Sequence, residues 1–138
     1  MTARYKSNPV ALVVNAHCAA RRALCDRIEA SFANFRMCEA ATMEDALIML
    51  GEERIDVVLI EGDGGGIGGL KGTRAILERS PNTSVVVMST FSEPTCRSAA
   101  SRAGAVAFVS KRAIETELMP VLEELLGLQR IERTAGFE

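Results

Sequence analysis

Four short apolar runs, each rich in valine or small apolar residues, recur along the chain with longer helix-like segments between them. They are Val10–Val14, Val57–Ile60, Val85–Met88 and Ala107–Val109. A weaker fifth run, Phe35–Cys38, lies between the first two. Because polar residues hardly alternate with apolar ones in these runs, both faces of each strand are predicted to be buried, as in a parallel sheet.

Helix signals fill the segments between these runs. Ala20, Leu24 and Ile28 recur every four residues and so share one helix face. The predicted helices are Ala19–Ser31, the segment from Thr42 to Gly51, Leu70–Arg79, Pro94–Ala103 and Ile114–Leu126. Pro120 conflicts with the last of them, because proline removes a backbone hydrogen bond inside a helix. We expect either a kink there or a late helix start with Pro120 in its first turn.

The order of these elements, strand then helix five times over, defines the fold class. It predicts an α/β protein, a (βα)5 three-layer sandwich with a flavodoxin-like, doubly wound, five-stranded parallel sheet and right-handed crossovers. A length of 138 residues suits one domain. We place that domain at residues 1–127 and expect a flexible C-terminal tail, or the start of a linker, at residues 128–138.

Charge and hydropathy argue against several functional classes. The formal net charge is −2 and the isoelectric point is near 5.5, so direct nucleic-acid binding by this domain is not expected. No apolar run reaches the roughly 18 residues of a membrane span, and no export signal is recognisable, so no membrane association and a cytoplasmic location are expected. Arg21 and Arg22 are expected on a solvated helix face. The four cysteines lack zinc-site spacing and are expected to be reduced, with redox input at Cys18 and Cys25 left open.

Polar and small residues follow four of the predicted strands at the points where the strands end. Because the carboxyl ends of parallel strands meet at one edge of a sheet, and ligands bind beyond that edge, these residues form the candidate site. They are Asn15 and Ala16 after the first strand, Glu61, Gly62 and Asp63 after the third, Ser89 after the fourth and Lys111 after the fifth. A carboxylate, a hydroxyl and an ammonium group are therefore predicted to converge.

Three segments resemble parts of the receiver domain of response regulators, and the resemblance covers about residues 8–127. The segment IDVVLIEGDGGGIGGL is similar to the phosphoacceptor strand and loop, VVVMST to the strand that ends in the switch hydroxyl, and AGAVAFVSKR to the strand with the switch aromatic residue and the active-site lysine. The resemblance implies the positions of four residues. Glu61 stands at the phosphoacceptor, Ser89 at the switch hydroxyl, Phe108 at the switch aromatic residue and Lys111 at the lysine.

A fourth segment, VVNAH, stands where the family has a hydrophobic strand followed by two acids and a histidine, a pattern typical of its DNA-binding transcription-factor subclass. Asn15 and Ala16 occupy the positions of the acid pair. In the family, that pair and the phosphoacceptor aspartate together hold a magnesium ion. Asn15 offers one neutral oxygen and Ala16 offers none, so magnesium binding is predicted to be lost and no cofactor or metal is expected.

Glu61 is also a poor phosphoacceptor, because its carboxylate lies one methylene further out than that of an aspartate. We therefore predict an atypical receiver, a pseudo-receiver that is neither phosphorylated nor an enzyme. The hypothesis is that the longer side chain of Glu61 contacts Lys111 and Ser89. These contacts fix the switch, which is the equilibrium between two conformations of the domain, in one state without phosphorylation. The alternative for Glu61 is the decay of an unused site.

The glycine-rich segment Gly64–Gly69 favours a second function class. It satisfies GxGxxG between a strand and a helix, so the alternative is a small nucleotide- or dinucleotide-binding domain. Against this, the motif follows the third strand and not the first, and Ser89 stands about 20 residues further on, where an acid would bind a ribose hydroxyl. The simpler interpretation is a strand-to-helix loop.

The resemblance also implies where such a domain meets its partners. The output surface is helix 4, strand 5 and helix 5, here roughly Pro94 to Leu126. The expected partner is another protein or a second copy of the chain, bound through that surface.

Overall fold

The computed structural model describes residues 8–62, 67–90 and 94–131. The strands are β1 (Val10–Val14), β2 (Arg36–Ala40), β3 (Val57–Glu61), β4 (Ser84–Ser89) and β5 (Ala107–Ser110). The helices are α1 (Cys18–Ser31), α2 (Met43–Glu52), α3 (Ile67–Arg79), α4 (Pro94–Ala103), a π-helical turn (Ile114–Leu118) and α5 (Met119–Leu126). Within the described ranges, none of these helices combines the length and the apolar character needed to cross a bilayer.

All five strands pair in parallel in one sheet, in the order β2-β1-β3-β4-β5. The predicted α/β fold class, with its doubly wound parallel sheet, is confirmed. The strand order reverses between β1 and β3, since the chain first moves outward to β2 and then crosses back. In sheets of this type the crevice beyond the carboxyl ends at that reversal is where ligands bind.

Two apolar layers bury the two faces of the sheet. On one face Leu12, Val58 and Val85 pack with the inward sides of α2, α3 and α4, including Ile76. On the other face Val13 and Leu59 pack with residues of α1 and α5, including Ile28, Met119 and Leu122. The valine-rich runs predicted as β1, β3 and β4 are buried on both faces, which explains why they lack polar alternation. Strand β2 lies at the edge and is only partly buried, so its apolar signal is weaker.

The fifth helical segment begins with a π-helical turn. The amide of Met119 donates to the carbonyl of Ile114, five residues back, and the α-helix then starts with Pro120 in its first turn. Proline suits the first turn of an α-helix because its ring fixes φ at about −65°, a helical value. Of the two expected outcomes, a kink or a late helix start, the structure shows the late start of the α-helix. Gly127 ends the helix in the left-handed conformation, with φ of 65°. Helix α2 differs slightly from expectation, because it continues through Gly51 to Glu52.

The start of the predicted tail is bonded to the domain. Residues Phe32 and Arg130 form an antiparallel bridge, and the amide of Ile131 donates to the carbonyl of Ser31 at 2.8 Å. The guanidinium of Arg130 also pairs with Glu115 at 2.9 Å and with Glu123 at 3.1 Å. Residues 132–138 lie outside the described part of the chain. The contacts made by residues 128–131 thus join the end of α1 to the end of α5.

Candidate functional site

An ion pair between Glu61 and Lys111 forms at the carboxyl edge of the sheet. Glu61 is the last residue of β3 and Lys111 directly follows β5, so the two side chains meet across the end of β4. The Nζ atom of Lys111 contacts Oε2 of Glu61. The Glu61 side chain is 30% exposed and that of Lys111 33%. The two side chains that the sequence placed at this edge are thus in contact and only partly screened by solvent.

Ser89 ends β4 between these two strands and is only 2% exposed. Its carbonyl accepts a hydrogen bond from the amide of Lys111 at 2.9 Å, which fixes the start of the loop that carries the lysine. On the other side, the amide of Gly62 donates to the carbonyl of Met88 at 2.7 Å. A Cβ at Gly62 would lie 2.6 Å from Cγ1 of Val87, so the close approach of the two strand ends requires glycine there.

Asn15 and Ala16, the two positions without acids, lie at the end of β1. The Oδ1 atom of Asn15 accepts the amide of His17 at 2.8 Å, and the carbonyl of Asn15 accepts Nη1 of Arg21 at 2.7 Å. The side chain of His17 in turn caps α1, since its Nδ1 accepts the amide of Ala20 at 3.3 Å. Asn15 therefore serves local backbone structure at the start of the helix.

Arg21 is more deeply placed than the sequence indicated. Its side chain is only 14% exposed, and Nε donates to Oε1 of Glu39 on β2 at 2.8 Å. This hydrogen bond raises the pKa of Arg21 above its ordinary value. Arg22 also contacts Glu39 but remains half exposed, so the expectation of a solvated face is wrong for Arg21 and right for Arg22. The partner comes from a strand later in the sequence, and no local pattern points to it.

The described residues at this edge offer few of the oxygen ligands that a magnesium ion takes. Magnesium requires near-octahedral oxygen ligands, supplied in part by carboxylates. Here Ala16 has no side-chain oxygen, Asn15 Oδ1 is bonded to a backbone amide, and the carboxylate of Glu61 is paired with Lys111. Asp63, the other acid of the predicted set, lies outside the described residues. Among the residues that the structure describes, no cluster of three or more acidic, histidine or cysteine side chains is arranged to hold a metal.

Phe108, at the position of the switch aromatic residue, is held from α4. The guanidinium carbon of Arg97 lies 5.1 Å from the centre of the Phe108 ring, and Nη1 of Arg97 donates to the Phe108 carbonyl at 3.1 Å. Arg97 also approaches Oε1 of Glu117 at 3.9 Å, and the same oxygen accepts the amide of Ser110 at 2.9 Å. Residues of α4, β5 and the π-helical turn are thereby connected.

A cavity of about 220 Å³ adjoins Phe108. Gly62, Val87 and Cys96 line it together with residues of α3 and α4. The aromatic ring thus borders a space that reaches the start of the loop after β3. The rest of that loop, with Asp63 and Gly64–Gly66, lies outside the described residues, while the backbone of Gly68 and Gly69 belongs to α3.

The cysteines are all free thiols. Cys25 is buried in the layer between α1 and the sheet, and burial raises its pKa to about 11. Burial also raises the pKa of Cys38, on β2. Since the thiolate is the reactive form, these two environments oppose redox chemistry. Cys18 is exposed at the start of α1.

Comparison with known proteins agrees with this architecture. A family model described as the response regulator receiver domain matches residues 11–123. The response regulator GacA of Pseudomonas aeruginosa is 33% identical over 87 residues, which cover 63% of this chain and 41% of GacA. The response regulator UvrY of Escherichia coli K12 is 29% identical over 92 residues, which cover 67% of this chain and 42% of UvrY. The chain thus spans less than half the length of these curated relatives.

A solved structure gives the same result at the level of the fold. The crystal structure of a LuxR family DNA-binding response regulator from Silicibacter pomeroyi superposes with a TM-score of 0.74 and 26% sequence identity. The match covers 91% of this chain and 98% of that chain. These similarities do not favour the nucleotide-binding alternative built on the glycine-rich segment.

Proposed function

The chain belongs to the response regulator receiver domain family, and on that premise we propose that it is an atypical member which signals without accepting a phosphoryl group. In this proposal the state of the switch is set by Glu61, Ser89 and Lys111. The domain acts by binding another protein and carries out no reaction of its own.

The observation that carries the proposal is the Glu61–Lys111 ion pair. In the family the lysine position faces the phosphoryl group; here a carboxylate of the chain itself supplies a negative charge to that lysine. Charge-assisted hydrogen bonds contribute about 1.5–3 kcal/mol when buried, and exposed pairs roughly 0.2–1 kcal/mol. At about one-third exposure this pair falls between those limits. A difference of one or two kcal/mol changes a two-state ratio roughly 5–30-fold, which is enough to bias a switch.

Two further features support the absence of phosphorylation. The donor atoms of the described residues at this edge suit magnesium poorly, and without a divalent cation the charge of a transferring phosphoryl group is not neutralised. The carboxylate of Glu61 also lies one methylene beyond the position of an aspartate, where in-line attack is misaligned. The poor magnesium ligands and the displaced carboxylate together argue against acceptance of a phosphoryl group.

For output we propose the surface formed by α4, β5 and α5, with a protein partner or a second copy of the chain bound there. Arg97 supports this choice, because it stacks on Phe108 and approaches Glu117, so a change at the aromatic residue reaches two helical segments. The segment VVNAH and the similarity to a LuxR family structure favour a relative of the transcription-factor subclass. Direct contact of this domain with nucleic acid is not part of the proposal.

The proposal is tested by intact-mass spectrometry after incubation with acetyl phosphate and Mg²⁺. We expect no mass gain for the chain as it stands. The triple variant Glu61→Asp, Asn15→Asp, Ala16→Asp is the positive control, because it restores the acid pair and the aspartate, and it should gain one phosphoryl group. A phosphoryl adduct on the unmodified chain, mapped to Glu61 or Asp63, would overturn the proposal.

A further inference from the structure

A second cavity, of about 340 Å³, lies next to the ion pair on the side of the sheet that α1 covers. Its floor is the carboxyl ends of β1 and β3, the two strands between which the strand order reverses. Its volume is near the lower end of the roughly 300–1,000 Å³ of small-molecule sites, and the crevice at a strand-order reversal is where doubly wound sheets bind ligands. It is distinct from the cavity beside Phe108.

The walls of this cavity are mostly aliphatic. Ala20, Ala23 and Leu24 of α1 form one wall, and Ile114 of the π-helical turn contributes to another. The short side chains of the two alanines, both exposed, leave this space between the helix and the sheet open. A ligand for this cavity therefore has an apolar body.

The described part of the lining includes two cations and one anion. Lys111 and Arg27 carry positive charges and Glu61 carries a negative one. Arg27 also contacts Glu115 at 3.3 Å through one terminal nitrogen, and that pair is about half exposed. Because Lys111 is paired with Glu61, an anionic group at the level of Lys111 would have to compete with Glu61 for the ammonium group. A carboxylate suits both cations, because each forms charge-assisted hydrogen bonds to such oxygens.

We propose that this cavity binds a small apolar molecule that carries one carboxylate, with the apolar body against α1 and the carboxylate at Lys111. The inference extends the proposed function, on which its regulatory part rests. The ligand carboxylate competes with Glu61 for the ammonium group of Lys111, so binding changes the partner of the switch lysine. The input to the domain is then a bound molecule in place of a phosphoryl group.

The test uses sodium octanoate as the probe, followed by amide chemical shifts of the intact chain below the micelle concentration. We expect saturable shifts at Ala20, Ala23 and Leu24, together with a rise in melting temperature. Octan-1-ol is the matched neutral probe and should bind roughly tenfold or more weakly, because it cannot pair with the lysine. Equal affinity for the two probes, or shifts without saturation, would contradict the proposal.

Three variants test where octanoate binds. Ala23→Leu fills the cavity from α1 and should weaken octanoate binding roughly tenfold. Ala19→Leu introduces the same change at an exposed position of the same helix outside the described lining and should leave the affinity unchanged. Lys111→Met keeps the apolar stem and removes the charge, so it should abolish the preference for octanoate over octan-1-ol. If Ala23→Leu fails to fold, the loss of the preference for octanoate in Lys111→Met still tests the proposal.

Failure of this inference can be told apart from failure of the proposed function. If octanoate does not bind and acetyl phosphate adds no mass, the ligand proposal is wrong and the unphosphorylated switch stands. If octanoate binds as described and acetyl phosphate also adds a phosphoryl group, the cavity is a ligand site and its role as a substitute for phosphorylation is wrong.

Discussion

Lys111, from the loop after β5, contacts the carboxylate of Glu61, the last residue of β3, across the end of β4. The amide of the same lysine is bonded to the carbonyl of Ser89, which ends that middle strand. The lysine therefore links three adjacent strand ends through its backbone and its side chain. In our account this linkage replaces the covalent modification by which receiver domains are switched.

The strength of the pair can be measured with a double-mutant cycle of Glu61→Gln and Lys111→Met. We expect a coupling free energy of about 1 kcal/mol in urea denaturation, because the side chains are about one-third exposed and solvent screens part of their attraction. The pair of Arg36 and Glu53, at the opposite edge of the sheet, is the control and should couple more weakly, since Arg36 is 54% exposed. A coupling free energy of zero for Glu61 and Lys111 would show that the contact does not contribute to stability.

The close approach of β3 and β4 at the site predicts the effect of adding one methyl group at Gly62. Gly62→Ala should destabilise the domain by about 1–3 kcal/mol, because the new Cβ meets Cγ1 of Val87 on a buried strand. Gly51→Ala is the matched control. Its Cβ meets only the mobile end of Arg79, and alanine favours the helix by up to about 1 kcal/mol. Thermal denaturation distinguishes the two, and equal melting temperatures would contradict the steric argument.

Lowering the pH should weaken the contacts that stabilise the end of α5 and residues 128–131. Hydrogen bonds from Arg27 and Arg130 hold the pKa of Glu115 below its ordinary value of 4.5. Because the folded-state pKa lies below the unfolded one, the stabilisation is present above about pH 4.5 and is lost as the pH falls through the lowered pKa.

The measurement is the difference in unfolding free energy between the parent and Glu115→Gln, as a function of pH. We expect this difference to be largest near pH 7 and to shrink below pH 4.5. Glu124→Gln, an exposed substitution on α5, controls for the loss of one charge and should give the smaller difference at pH 7. A Glu115→Gln difference that is constant from pH 7 to pH 3 would show that the arginines do not act through the charge of this carboxylate.

Most of the fold could be predicted because the buried strands are composed almost entirely of apolar residues. Strands β1, β3 and β4 match their predicted runs to within a residue or so, whereas the edge strand β2 is half-buried and left a weaker pattern. Pro120 indicated that the last helix is irregular. The π-helical turn before it depends on the bond from Met119 to Ile114, and composition does not reveal that bond.

The site was predictable only as far as topology determines it. Parallel strands bring Glu61 and Lys111 to one edge whatever their side chains do. The partly buried contact of Arg21 with Glu39 could not be predicted, because it joins α1 to β2, a strand that comes later in the sequence. The contacts of Arg130 could not be predicted for the same reason. The polar segment after Gly127 has no sequence pattern that identifies its partners at the end of α1 and in the π-helical turn.

The central claim is that the Glu61 carboxylate sets the state of the switch, and amide chemical shifts of Glu61→Gln without any phosphodonor test it most directly. Glu53→Gln, which breaks the pair with Arg36 at the far edge, is the control. Our account predicts that Glu61→Gln shifts the amides of Arg97, Phe108 and Glu117 on the proposed output surface, while the control does not. Shifts confined to the immediate neighbours of Glu61 and Lys111 would contradict it.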